Sequence, residues 1–280
     1  FADKVRDYTG GDIDITVHPG GSLFKGGEIK RAVQTGQAPI GERFMSAHAN
    51  EAPLLGWDNL PFIATTYEQN NSLWDAAKDK VNAQLSDLNL VALYTCPWPG
   101  QGFYFKKAVS SSKDTQGVKF RSYNTATATF AEELGMIPVQ VEAAELSQAL
   151  ATGVAESFIS SGSTGYDRKV WEHLTHYYKV NAWLPRNYVM VNKGVWEGLG
   201  SDVQANIQKA ADETGAACAA KSAELANWYF EQLEANGMKV EDAGPEFLAE
   251  LEAIGAKMKA DWLSEVGADG QAILDAYNAN

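Results

Sequence analysis

The chain has 280 residues, of which 45% are hydrophobic and 11% aromatic. That composition supplies an ample core, and the length suits two lobes better than one, because single cores stop growing at roughly 250–300 residues. A net charge of −13 argues against nucleic acid or an anionic membrane surface as partner, and no uninterrupted apolar run of ~18 or more residues is present to span a bilayer.

The chain opens on FADKVRDYTGG, without Met and inside a helical pattern, which fits a processed start with a signal peptide removed. DIDITVH (12–18) alternates as a strand, GGEIKRAVQTG (26–36) reads as a helix closed by Gly36, and APIGERF (38–44) as a short strand or loop. NLPFIATTYEQ (59–69) is a Pro-containing turn into the helix NSLWDAAKDKVNAQLSDL (71–88), and LNLVALYT (88–95) is a buried strand bounded by CPWPGQG. This alternation predicts a mostly parallel sheet with helices on its faces.

A second series follows. GVKFRS (117–122) is a strand, ATATFAEEL (126–134) a helix stopped by Gly135, IPVQVE (137–142) a strand and AAELSQALATG (143–153) a helix. VAESFISSG (154–162) is another strand, YDRKVWEHL (166–174) a helix, and HYYKVNAW (176–183) and NYVMVNK (187–193) are extended. Residues 201–236 are Ala-rich, capped by Ser201 and stopped by Gly237. They predict one helix of roughly 50 Å, long enough to bridge two lobes, with Gly215 as its weak interior point. GPEFLAELEAIGAKMKADWLSEV and DGQAILDAYNA add two amphipathic helices.

Catalytic signatures are missing. His173 and His176 in WEHLTHYY could share a helix face, but no Cys or acidic partner stands at metal-ligand spacing, and a solvated face is the stronger reading. GGSLFKGG (20–27) carries Gly27 where a phosphate loop needs Lys, SSGSTG (160–165) lacks that Lys as well, and GVAES is not a nucleophile elbow. No catalytic residue, metal site or cofactor is assigned. Cys96 and Cys218 either pair in an oxidising compartment or remain buried thiols.

The stretch GVKFRSYN is more informative. It ends a strand on Arg121 where a helix begins, a placement suited to gripping a carboxylate, although a surface ion pair would explain it too. Ser160 and Ser161 end a second strand in the same way, and Trp98 and Trp183, beside Pro-rich crossovers, either pack in a core or line a cleft.

GVKFRSYN, LGMIPVQVEAAELSQALATGVAES and NYVMVNKGVWEGLGSDVQANIQKAADE, with PGGSLFKGGEIKRAVQTGQ and NLPFIATTYEQ, resemble the DctP-type solute-binding subunit of tripartite ATP-independent periplasmic (TRAP) transporters over nearly the whole chain. The resemblance implies an α/β, two-lobed periplasmic-binding-protein-like fold with crossover hinge strands and a long helix spanning both lobes. Lobe I would comprise 1–98 and 186–226, lobe II 99–185 and 227–280. It implies a monomeric, periplasmic, non-enzymatic protein without cofactor, which holds a small organic acid between its lobes, closes by a hinge and delivers the acid to a membrane permease.

By that resemblance Arg121 makes the bidentate salt bridge to the ligand carboxylate. Gln101 stands where a second ligand-binding Arg can occur, which points to a monocarboxylate, and Ser160 stands where members with sugar-acid ligands often carry Asn. Members also carry a strand ahead of the helix that here begins at Phe1, and contacts from it are unassigned. Trp98, Tyr123, Ser161, Trp183 and Asn187 are further expected contacts. Glu42 and Arg43 either face the ligand or form a surface ion pair, and a Glu42 that faces it would suit hydroxyls or an amine. The alternatives are a lyase or hydrolase with Glu42 or Glu156 as base, a binder of a small amine, and a sensor subunit with the same ligand chemistry.

Overall fold

The computed structural model describes residues 1–279. Its elements are α1 (Ala2–Tyr8), α2 (Gly26–Gln34), β1 (Ile40–Phe44), α3 (Tyr67–Asp87), β2 (Leu90–Pro97), β3 (Gly102–Phe105), β4 (Lys119–Ser122), α4 (Thr125–Glu133) and β5 (Ile137–Gln140). They continue as α5 (Leu146–Ala151), β6 (Ser157–Ser160), α6 (Gly162–Asp167), β7 (His176–Lys179), β8 (Arg186–Asn192), α7 (Lys193–Glu197), α8 (Ser201–Ala235), β9 (Lys239–Asp242), α9 (Pro245–Val266) and α10 (Ala268–Asn278). The α/β class and the long helix, 35 residues in α8, are as expected.

Two compact units divide the chain. The first takes Phe1–Met45, Asp79–Pro97 and Arg186–Ser222, and the second takes Ser46–Lys78, Trp98–Pro185 and the stretch from Ala223 onward. The chain passes from one to the other at Met45/Ser46, Lys78/Asp79, Pro97/Trp98 and Pro185/Arg186, and within α8 at Ser222/Ala223. Ser46–Lys78, expected in the first lobe, belongs to the second unit, where its side chains and backbone find partners. Trp57 packs on Trp74, the Trp262 indole donates to the Pro53 carbonyl (2.9 Å), and the Asn70 amide donates to the Leu184 carbonyl (2.7 Å).

The first unit is built on a three-stranded sheet, β1-β8-β2, with both pairings antiparallel. The expected parallel sheet fails here because β8 arrives as the return of the chain from the second unit, running against both neighbours. DIDITVH is not a strand. Its alternation is used differently: Ile13 and Ile15 pack, half-buried, against a core of Val5, Leu93, Val189, Val191 and Ile207, with no ladder partner for the backbone. Gly215 explains itself in this packing, since a Cβ there would stand 3.1 Å from the Tyr94 Cβ. Helix α8 therefore lies close over β2, and Cys96 of β2 and Cys218 of α8 form a disulfide with 5.7 Å between their Cα atoms.

The second unit carries a six-stranded mixed sheet in the order β5-β4-β6-β3-β7-β9. Strands β5, β4 and β6 are mutually parallel, as the βα series predicts, whereas β3 runs antiparallel to both β6 and β7. One face buries an aromatic layer in which Phe103 lies within 6.2 Å, between ring centroids, of Phe120, Phe130 and Phe247. The other buries Tyr104, Phe158, Tyr177, Leu146 and Leu233. The helix expected over 166–174 is instead α6 followed by a short 3-10 turn at Val170–Glu172, separated by Lys169 in a left-handed conformation. His173 follows that turn and His176 lies in β7, so they do not share a helix face.

The disulfide closes a loop 122 residues apart in sequence. Removing so long a cross-link costs about 2–5 kcal/mol. A Cys96→Ser, Cys218→Ser variant is expected to unfold at correspondingly lower guanidinium concentration with an otherwise native circular dichroism spectrum.

Candidate functional site

In the second unit, β4 lies between β5 and β6, so its side chains alternate between two buried faces. Phe120 enters the aromatic layer, and Arg121 falls on the opposite face beside its register partners Val139 and Phe158. One residue past Tyr123, Asn124 caps α4: its side-chain oxygen accepts from the Thr127 backbone N–H at 3.0 Å. The sequence FRSYNT thus places a guanidinium at the carboxyl end of parallel strands and beside a helix N-terminus, where backbone dipoles favour an anion.

Arg121 is only 3% exposed. Its Nε donates to the Val141 carbonyl at 2.8 Å, and its guanidinium carbon lies 5.1 Å from the centroid of the Tyr123 ring. Its two terminal nitrogens make no hydrogen bond to any of the described residues. Burial pushes the guanidinium down to about 10, with Tyr123 and Glu142 opposing that shift and Arg168 adding to it. A surface ion pair, the plainer reading of this residue, is not what the fold provides.

Tyr123 is held from two sides. The Trp183 indole N–H donates to its hydroxyl at 3.2 Å, and the hydroxyl donates to Gln101 Oε1 at 3.3 Å. The Gln101 amide nitrogen donates to the Pro99 carbonyl at 2.9 Å, which fixes the amide's orientation. Desolvation raises the Tyr123 phenol far above its usual range, so it remains a neutral donor. Gln101 and Trp183 sit on two segments joined by backbone hydrogen bonds, Gln101 N–H to the Trp183 carbonyl (3.0 Å) and Trp98 N–H to the Pro185 carbonyl (2.8 Å). Arg121, Tyr123, Gln101 and Trp183 therefore form one constellation.

The serines divide. Ser160 ends β6 opposite Gly102, buried, with no hydrogen bond from its hydroxyl to the described residues. Ser161 is committed to structure: its hydroxyl caps α6 and lies 2.8 Å from that of Ser163, and its carbonyl accepts from Tyr104. In the first unit, Asn187 of β8 donates to Glu42 Oε1 of β1 at 2.8 Å, and Arg43 pairs in register with Tyr188. Glu156 forms an ion pair with Lys106 at 3.5 Å. Trp98 is half-buried.

Some polar residues stand out only in the structure. Asn124 donates to Asn59 Oδ1 at 2.6 Å, binding the α4 cap to the 53–59 turn, and Arg186 of the first unit, 3% exposed, donates to the Thr95 hydroxyl at 3.1 Å. The cap is readable in SYNT, but its partner 65 residues away is not. Among the described residues no cluster of His, Cys, Asp and Glu could hold a metal ion, and no helix is long and apolar enough to cross a membrane.

The family model described as "Bacterial extracellular solute-binding protein, family 7" (DctP) matches residues 1–265. The C4-dicarboxylate-binding periplasmic protein DctP of Rhodobacter capsulatus is 27% identical over 222 residues, 76% of this chain and 65% of that protein, so the chain matches less than two thirds of that relative's length. A crystal structure from a marine metagenome, an unidentified microbe, is 84% identical and covers 100% of this chain and 92% of its own, with a TM-score of 0.99. That protein is a TRAP solute-binding protein specific for pyroglutamate, crystallised with co-purified pyroglutamate. DctP6 of Bordetella pertussis, an extracytoplasmic solute receptor binding pyroglutamic acid, is 41% identical over 100% of this chain and 93% of its own, with a TM-score of 0.98.

A buried cation without a partner is unfavourable, and replacing it by an apolar side chain of similar length relieves that. Arg121→Met is expected to raise the stability of the ligand-free protein by about 1–2 kcal/mol, net of the lost bond to Val141. Urea denaturation of the two proteins, each stripped of ligand, measures the difference; a variant less stable than the parent would mean that the guanidinium is already compensated.

Proposed function

Since the chain belongs to the DctP family of bacterial extracellular solute-binding proteins, we propose that it is the extracytoplasmic receptor of a TRAP-type transporter, that its ligand is pyroglutamate, and that Arg121 anchors the ligand's carboxylate. The observation that carries this reading is the buried guanidinium whose terminal nitrogens have no acceptor among the described residues. Two parallel N–H groups at fixed spacing match a carboxylate, and burial makes the charge-assisted pair strong.

Pyroglutamate is a five-membered lactam with one carboxylate, one N–H and one carbonyl. It carries a single negative charge, which suits one arginine accompanied by neutral groups. Gln101 is such a neutral group: with its oxygen engaged by Tyr123 and one N–H by Pro99, it retains a second N–H for an acceptor. Ser160 has a hydroxyl to offer, and Trp183 and Tyr123 supply flat walls for a ring. Trp98, Asn187, Glu42 and Arg43 are secondary contacts in this reading, whereas the Ser161 hydroxyl is taken by the α6 cap and by Ser163. The membrane permease of the TRAP system is the proposed partner and the periplasm the proposed location. The Cys96–Cys218 disulfide supports a place outside the reducing cytoplasm. A binder rather than an enzyme is also favoured by Glu156, engaged in an ion pair with Lys106.

Calorimetric titration of ligand-stripped protein with L-pyroglutamate tests the reading. Saturable binding is expected, with Arg121→Ala losing about 2–5 kcal/mol and Arg121→Lys also binding weakly for want of the planar fork. Near-parental affinity in both variants would remove Arg121 from the site. Mass spectrometry of the denatured complex should return intact ligand, and a converted product would instead establish an enzyme.

A further inference from the structure

We propose that Tyr123, beyond walling the ligand ring, couples occupancy of Arg121 to the two crossover segments, Trp98–Gln101 and Ala182–Pro185; this rests on the carboxylate reading above. The connection is continuous and short. The guanidinium lies over the Tyr123 ring at 5.1 Å, and the hydroxyl at the far end of that ring joins Trp183 (3.2 Å) to Gln101 (3.3 Å). These two residues are themselves tied by the Gln101 N–H to Trp183 carbonyl bond at 3.0 Å, and the Ala182 N–H returns to the Gln101 carbonyl at 3.0 Å. Trp98 and Trp183 flank the points where the chain passes between its units at Pro97/Trp98 and Pro185/Arg186.

The physical basis is the attraction of a cation for the face of an aromatic ring, which weakens when that cation is paired with an anion. A carboxylate on the terminal nitrogens of Arg121 neutralises the charge above the ring. Released from that pull, the ring settles toward its hydroxyl's partners, and the two hydrogen bonds, long at 3.2 and 3.3 Å without ligand, shorten together because one rigid phenol carries them. Coupling of this kind is reciprocal: hydrogen bonds that strengthen when the carboxylate arrives also favour its arrival, so removing the hydroxyl weakens binding. Trp183 is buried against Phe130 of α4 at 5.9 Å between ring centroids, so its indole N–H reports the phenol rather than solvent.

The indole N–H of Trp183 can be followed by 15N-edited NMR among the eight tryptophans, with Trp183→Phe used to assign it. Adding L-pyroglutamate to the unaltered protein is expected to shift that resonance. Tyr123→Phe keeps the ring and removes only the hydroxyl; it is expected to abolish the shift and weaken affinity about tenfold. Gln101→Met, which removes the acceptor at similar volume, is expected to behave likewise and carries the test should Tyr123→Phe fold poorly. Binding without movement of the Trp183 resonance, or an unchanged shift and affinity in both variants, overturns the coupling while leaving the carboxylate reading intact. Absence of binding by the unaltered protein overturns that reading and the coupling with it.

Discussion

A guanidinium removed from water and left with one protein acceptor is the constraint around which the second unit is arranged. Desolvating a charge costs several kcal/mol unless partners replace the water. Arg121 receives the Val141 carbonyl and the face of Tyr123, and nothing for its two terminal nitrogens among the described residues. Such a group persists only where the surrounding fold over-determines it. Here β4 lies hydrogen-bonded between β5 and β6, with the aromatic layer fixing Phe120 on one side and the α4 cap fixing the backbone at Asn124.

Preorganisation is the other half of the arrangement. Affinity for a small ligand depends strongly on what need not be ordered when it arrives. The Gln101 amide is oriented by Pro99, the Tyr123 hydroxyl by Trp183 and Gln101, and the Trp183 ring by Phe130. None of these contacts involves a formal charge except the cation over the ring. Arg121 is the one charged member of the constellation, with Glu142 and Arg168 acting on it from outside, which is the electrostatic ground for proposing a ligand of single negative charge.

Much of this was legible in the sequence where a local pattern has a local cause. Arg121 was readable because Val118, Lys119, Phe120 and Arg121 alternate and SYNT caps a helix; α8 was readable because composition and Gly237 delimit it. The strand β3 carried no signal, since Gly102–Phe105 is buried on both faces and so shows no alternation. DIDITVH misled for the opposite reason: its alternation was real but no neighbouring strand was available to pair with it. The antiparallel sheet of the first unit depends on chain crossings that local patterns do not encode. Ser161 shows how a residue type suited to a ligand is also suited to a helix cap, and only the Thr164 N–H reveals which role its hydroxyl serves. The link between Tyr123 and the crossovers was invisible because it joins positions far apart in sequence.

The interleaving of the two units has a consequence for how the protein is made. The first unit needs chain from three separate stretches, the last ending at Ser222, and neither unit is a contiguous piece that could be completed early. A chain emerging N-terminus first exposes Cys96 long before Cys218, with 122 positions between them. During that interval the first thiol has no native partner, and β2 has no β8 to lie against. Folding therefore requires that Cys96 stay uncommitted and β2 unpaired until β8 and Cys218 have followed, a kinetic demand that the finished molecule no longer displays.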